Sequence, residues 1–353
     1  MDGRKRGGCH WRHSNALVAL LAVAAAITAV AALLAATLGA GGPAVATTSA
    51  TAVTVHASVV GGSAGGGSAA SGSAASGSAV SGSAVSRPAA GPTAAPAGVR
   101  LPPPVVCRHC WRPSLRESWQ VEFAANPAPP YLRVRMFELD GFDTPAATVA
   151  ALHRTLPGRG VVCYIDAGTW ENWRPDASRF PKALLGRPDG GWPGERWLDI
   201  ARYPGALAQI MRARVRMCQA KGFNAVDFDN VDGYANTTGF PLTADDQLRY
   251  NTFLANLAHQ FGLSVALKND EQQIPVLLRY FDFAVDEQCF QYAECTTAQN
   301  GGYGLNEFTR EGKAVFDIEY TLKLGQFCPA AERDHFNALR KHLSLDAWRQ
   351  ACP

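Results

Sequence analysis

Three carboxylates fall within six residues in the stretch Asp227-Phe228-Asp229-Asn230-Val231-Asp232-Gly233-Tyr234. The small and β-branched residues at 225–228 read as a short buried strand. Desolvating acids at the end of such a strand is costly, which marks them as groups with a task. The plain alternative is a solvated turn rich in Asp and Asn. Other apolar runs end the same way. Asp140 follows residues 134–139, and Asp166 follows 160–165, with Trp170 and Glu171 in the next loop. Lys268 and Asn269 follow 264–267; Asp286, Glu287 and Gln288 follow 281–285; Glu319 follows 314–318.

Carboxylates paired across a cleft can protonate a leaving oxygen and attack or activate water, which is the chemistry of glycoside hydrolysis. Serine and cysteine hydrolases need a nucleophile beside a histidine base. Here His153, His259, His335 and His342 read as parts of helical stretches, and residues 107–353 hold no Gly-x-Ser-x-Gly turn. Trp170, Trp173, Tyr234 and Tyr292 fall in loops after strands, where rings stack on sugars or pack a core. Two rival classes remain open. One is a carbohydrate-binding surface protein without turnover; the other is a hydrolase whose acids hold a divalent ion.

The elements that must position these groups are eight short strands, at 119–123, 134–139, 160–165, 197–200, 225–228, 264–267, 281–285 and 314–318. They alternate mostly with helical patterns. Pro145 opens an Ala-rich helix, another spans 203–221, and Thr243 caps a third. This predicts an α/β protein, a (β/α)8 TIM barrel with its site at the C-terminal ends of the strands. A doubly wound sheet is the alternative, weakened by the absence of a Gly-x-Gly-x-x-Gly or Walker-type loop after any strand.

The chain divides by composition. Residues 1–15 carry four basic side chains against Asp2, and residues 16–38 carry no charge. Together they predict a basic cytoplasmic flank and a signal peptide or signal-anchor helix; either exports the remainder. Residues 39–106 are Gly, Ser, Ala and Pro rich, with the repeats Ser71-Gly-Ser-Ala-Ala, Ser76-Gly-Ser-Ala-Val and Ser81-Gly-Ser-Ala-Val, and read as a disordered linker. Residues 107–353 read as one folded domain, expected to be monomeric, extracellular and either secreted or tethered. That domain holds 27 basic and 29 acidic side chains, so the formal +3 of the chain is an N-terminal signal and not a nucleic-acid footprint.

Eight of the nine cysteines lie in the same region, which in an exported chain favours disulfides. Cys289 with Cys295 and Cys328 with Cys352 are the preferred pairs. Cys107 with Cys110 would close a tight ring, or form half of a zinc site without its second half. Cys163 with Cys218 would join a strand to a helix.

Several longer stretches carry a more specific signal: Leu139-Asp-Gly-Phe-Asp-Thr144, Val162-Cys-Tyr-Ile-Asp-Ala-Gly-Thr-Trp-Glu171, Trp192-Pro-Gly-Glu-Arg-Trp-Leu-Asp199, Asp229-Asn-Val-Asp-Gly-Tyr234, Leu267-Lys-Asn-Asp270 and Glu287-Gln-Cys-Phe-Gln-Tyr292. In their order and spacing, residues 111–320 resemble the TIM-barrel domain of glycoside hydrolase family 114, the endo-α-1,4-polygalactosaminidase family. The resemblance implies endo-cleavage of a galactosamine-containing polysaccharide, without a cofactor, with the catalytic carboxylates at Asp229 and Glu287. Asp229 is assigned as nucleophile and Glu287 as acid/base. An exchange of roles, or an inverting mechanism, stays open. Asp140, Asp166, Trp170, Glu171, Asp227, Asn230, Asp232, Tyr234, Lys268, Asn269, Gln288, Tyr292 and Glu319 are expected to bind substrate. Asp286 stands where the family commonly has Asn; as a neighbour it would raise the pKa of Glu287, unless strand alternation turns it away from the cleft.

Overall fold

The computed structural model describes residues 99–353. The basic flank, the signal or anchor segment and most of the linker lie outside the described residues. The chain runs β1 (Trp119–Glu122), β2 (Met136–Asp140), α1 (Ala146–Thr155), β3 (Gly160–Asp166), β4 (Thr169–Glu171), β5 (Leu185–Pro188), β6 (Glu195–Leu198) and α2 (Ala206–Lys221). It continues through β7 (Ala225–Asp229), α3 (Ala244–Gln260), β8 (Ser264–Lys268), α4 (Ile274–Leu277), β9 (Phe283–Glu287), α5 (Cys289–Tyr292) and α6 (Asn306–Arg310). It ends with β10 (Val315–Glu319), α7 (Leu324–Arg333), β11 (Phe336–Arg340) and β12 (Gln350–Ala351).

Eight strands lie side by side and parallel in the order β1-β2-β3-β7-β8-β9-β10-β11, and β12 adds antiparallel to β11. The two ends of the parallel set meet. The Glu117 amide donates to Asn337 Oδ1 at 2.8 Å and Trp119 Nε1 to the Asn337 carbonyl at 2.7 Å. Lys341 Nζ reaches Gln120 Oε1 at 3.2 Å. The sheet is therefore curled as in a barrel, with all strand C-termini at one mouth.

Alternation along each strand makes two apolar layers. Trp119, Val121, Met136, Val162, Ala225, Ala266, Phe283, Val285, Phe316 and Ile318 fill the interior. Phe137, Leu139, Val161, Cys163, Val226, Phe228, Val265, Leu267 and Ala284 pack outward against the helices. Because both faces are covered, the strands read as nearly continuous apolar runs. Trp111 closes the floor: a Cβ at Gly160 would sit 2.1 Å from its ring, so only glycine fits there. Thr243 and Asp246 cap α3 reciprocally, and Gly222 ends α2 in the left-handed conformation (φ 88°).

The expected strand at 197–200 is not in the barrel. It is β6, which pairs antiparallel with β4 and β5 in a separate three-stranded sheet inside the β3–α2 connection. Its place is taken by β11, whose Asn337 breaks the apolar run because the side chain is used to close the barrel. Of the four histidines, His153 and His259 lie in helices. His335 follows α7 with positive φ, and His342 stacks on Trp348 in the turn after β11.

The linker boundary also moves. Leu101 packs on the core, Tyr280 donates to the Pro102 carbonyl at 2.6 Å, and the Val105 amide donates to Asn256 Oδ1 at 2.7 Å. Residues 101–105 therefore belong to the fold. Four disulfides join Cys107–Cys110, Cys163–Cys218, Cys289–Cys295 and Cys328–Cys352, so the Cys-x-x-Cys pair is not half of a zinc site. Among the described residues, no helix is long and apolar enough to cross a membrane.

Candidate active site

At the barrel mouth, β7, β8 and β9 end in Asp229, Lys268 and Glu287, each on the inward phase of its strand. Lys268 Nζ donates to Asp229 Oδ1 at 2.9 Å and to Glu287 Oε2 at 3.0 Å. Two oxygens bound to one nitrogen at these distances are under about 6 Å apart, a bound set by the triangle they form. The Lys268 side chain is 5% exposed, while those of Asp229 and Glu287 keep 19% and 30%. The carboxylates thus face the opening and the cation lies beneath them.

Asp229 accepts further bonds from Tyr164 Oη (2.6 Å) and the Asn230 amide (2.9 Å). Burial opposes its ionisation, but Lys268, Tyr164 and Asn230 win and hold its carboxyl below the ordinary aspartate value. Burial alone would lower Lys268; Asp229, Glu287 and Asp227 hold its pKa well above the usual lysine value. Glu287 accepts from Tyr320 Oη, and its amide donates to Asn269 Oδ1 at 3.1 Å. Asn230, Asn269 and Gln288 all have positive φ, and turn the chain sharply at the ends of β7, β8 and β9.

Asp166 organises the β3 loop. It accepts from the amides of Gly168 (3.0 Å) and Thr169 (2.6 Å), from Thr169 Oγ1 (2.6 Å) and from Asn230 Nδ2 (2.7 Å). Burial, then Glu171 and Asp229, push its pKa up to about 8. Thr169 Oγ1 also bonds Glu195, which burial and Asp166 raise to about 9. Gly168 is required there: a Cβ would fall 1.6 Å from the Asn230 carbonyl oxygen.

Other expected site residues are placed differently. Asp140 and Glu171 both bind the buried Arg174, at 2.8 and 2.6 Å, so they brace the wall of the mouth. Trp170 packs against the core and donates to the Ala177 carbonyl. Asp227 is fully buried inside the barrel beneath Lys268, too deep to touch a sugar. Glu319 points to the outer face and accepts from the Phe290 and Gln291 amides. Gln288 bonds Gln291, and Tyr234 reaches Asp270 and Gln272. Asp232 is partly exposed, near enough to Asp229 to be raised by it after burial; Tyr292 is 61% exposed. Asp286 turns away from Glu287, as strand alternation allows.

Residues missed from sequence include Tyr164, Tyr320, Glu138 and Glu195. Tyr164 and Tyr320 share the inward phase of their strands with Val162 and Ile318, a signal available from period-two counting. Glu138 lies deep in the barrel against Asp227; burial and Asp227 raise it, and burial raises Asp227 to about 7. A cavity of about 260 Å³ opens beside the site, lined by Glu122, Phe123, Asn126, Asp140, Asp143 and Thr144. Phe123 packs on Tyr164 with ring centroids 4.4 Å apart, which links cavity and dyad.

A carboxylate pair at the C-terminal mouth of a parallel barrel is an arrangement suited to glycoside hydrolysis. The model of the glycoside-hydrolase family GH114 matches residues 103–353, and the chain belongs to that family. Ega3 of Aspergillus fumigatus, solved in complex with galactosamine, is similar at 35% identity with a TM-score of 0.62, covering 69% of this chain and 97% of that one. The glycoside hydrolase domain of PelA from Pseudomonas aeruginosa shares the fold at 13% identity and a TM-score of 0.50, covering 66% and 98%. No curated protein matches by sequence.

Proposed function

We propose that this glycoside hydrolase is exported and cleaves internal α-1,4 linkages of a galactosamine-containing polysaccharide with retention of configuration. The observation that carries the mechanism is the Lys268 bridge. It keeps Asp229 Oδ1 and Glu287 Oε2 under about 6 Å apart, short of the roughly 6.5–9.5 Å expected of an inverting pair. Asp229, held ionised by Lys268, Tyr164 and Asn230, suits the nucleophile; Glu287 then serves as acid/base. The ammonium lies where a divalent ion would have to sit between the two acids, which argues against a metal-assisted reaction at this dyad.

The substrate reading rests on charge. Asp232 near the dyad, and Glu122 and Asp143 at the cavity, suit a polymer with cationic amino groups. Ega3 was solved with galactosamine, which supports that sugar as the repeating unit here. Tyr292 and Trp173, 61% and 44% exposed, offer ring faces for stacking. Four disulfides suit an oxidising compartment and thus export.

The test is incubation with α-1,4-linked galactosaminogalactan, with chitosan as control, followed by mass spectrometry of the products. Release of short galactosamine oligomers from the first polymer only is expected. Proton NMR of the first-formed reducing ends should show the α-anomer. A β-anomer would require an inverting mechanism, and binding without cleavage would make the chain a carbohydrate-binding protein.

A further inference from the structure

A second group of acids lies on the other side of the same sheet wall. Asp286 and Asp317 stand opposite each other in register on β9 and β10. They alternate with Val285, Glu287, Phe316 and Ile318, which face inward, so both point into the layer between sheet and helices. Both are fully buried. Ligand atoms of Asp286, Asp317 and Cys289 lie within 4.8 Å of one another. Cys289 is tied to Cys295, so its sulfur is no thiolate and the donors that remain are oxygens.

No N–H or hydroxyl group donates to any of the four carboxylate oxygens of Asp286 and Asp317, although the Glu271 carboxyl lies within hydrogen-bonding reach of Asp286. The group against Asp286 is another acid, Glu271 in the turn after β8, and Glu294 in the disulfide-closed loop also acts on it. Among charged groups Glu319 acts most strongly on Asp317, and the Cys289 amide is close by, outside hydrogen-bond geometry. The charged groups acting most strongly on Asp286, Asp317 and Glu294 are all acids. Buried carboxyl groups without donors are expensive, and native proteins pair them, protonate them or place an ion among them. Hard oxygen donors are what a calcium-type ion takes: the ligand atoms of Asp286 and Asp317 converge, Glu271 lies against Asp286, and Glu294 is near enough to act on it. Glu271 and Glu294 are partly exposed and leave an entry path.

We infer that Asp286, Asp317, Glu271 and Glu294 form a structural divalent-cation site, of calcium type, behind the catalytic strands. An ion bound there ties β9 to β10 and to the turn after β8. It anchors the residue adjacent to Glu287 without touching the sugar. The inference does not depend on which polymer is cleaved.

The experiment uses the purified enzyme stripped with EDTA and titrated with Ca²⁺ or Mg²⁺, by calorimetry and by thermal melting. One Ca²⁺ per chain is expected, with a rise in Tm of about 5 °C or more at a hundredfold excess over Kd, and a smaller rise with Mg²⁺. Asp317→Asn should abolish binding. Should that variant not fold, Glu294→Gln on the partly exposed rim should still weaken Ca²⁺ binding about tenfold or more. Absence of binding to the stripped wild type would overturn the inference. So would undiminished Ca²⁺ affinity in the folded variants.

Discussion

Lys268 is the residue on which the site turns, because one ammonium contacts both carboxylates of the dyad. Asp229→Asn and Glu287→Gln should each reduce kcat by about 10²–10⁴-fold with Tm little changed, measured by reducing-end release and calorimetry. Lys268→Met tests the electrostatics more directly. Removing the cation takes away the strongest influence that lowers Asp229, so its carboxyl titrates at higher pH. The acidic limb of the kcat/KM profile should then move to higher pH, because Asp229 must be ionised to attack. An unmoved limb in an active variant would show that some other group sets it.

At the scale of elements, the mouth is braced by a buried arginine. Arg174, in the connection after β4, binds Asp140 at the end of β2 and Glu171 in β4 itself, all three nearly without exposure. Removing the cation leaves two buried acids facing each other. Arg174→Met should therefore cost about 3–5 kcal/mol by denaturant titration. The same variant with Asp140→Asn and Glu171→Gln should recover part of that loss, since neutral amides are cheaper to leave buried. No recovery would mean that the arginine acts through packing on Phe142, over whose ring it lies at 4.9 Å.

The molecule as a whole carries an unusual load of buried acids, and its pH dependence follows from them. Asp227, Asp166 and Glu195 are raised to about 7, 8 and 9 by burial. The folded chain then holds more protons than the unfolded one from about pH 4 up to those values, so stability falls as pH rises through that window. Asp229 and Asp282 are lowered, by Lys268 and by His259, and their contribution is lost only below about pH 4. Tm should peak near pH 4–5 and decline steadily towards pH 9. A maximum above pH 7 would contradict these assignments. The domain boundary has its own test: a chain beginning at residue 100 should melt several degrees above one beginning at 107. The shorter chain loses the bonds of residues 102–105 to Tyr280 and Asn256, and about 1 kcal/mol per bond shifts Tm by about 2–4 °C.

Much of this was legible in the residues themselves. Acids at the ends of apolar runs, four plausible cysteine pairs and a run of family stretches pointed to a parallel barrel with Asp229 and Glu287 at its mouth. These are local signals: strand period, turn chemistry and spacing survive in one dimension. Membership of the sheet did not. Trp197 and Leu198 look like barrel strand residues, yet they pair antiparallel in a side sheet, while Asn337 disguises a true barrel strand because its amide closes the ring. The roles of individual acids were also hidden. Asp227, Asp229, Asp286 and Glu287 are equivalent carboxylates in sequence. Only the closed sheet decides that the first is buried beneath the site, the second and fourth share Lys268, and the third faces another cluster of acids behind the wall. Burial and the identity of the nearest charge set what a carboxylate does, and both are properties of the folded barrel.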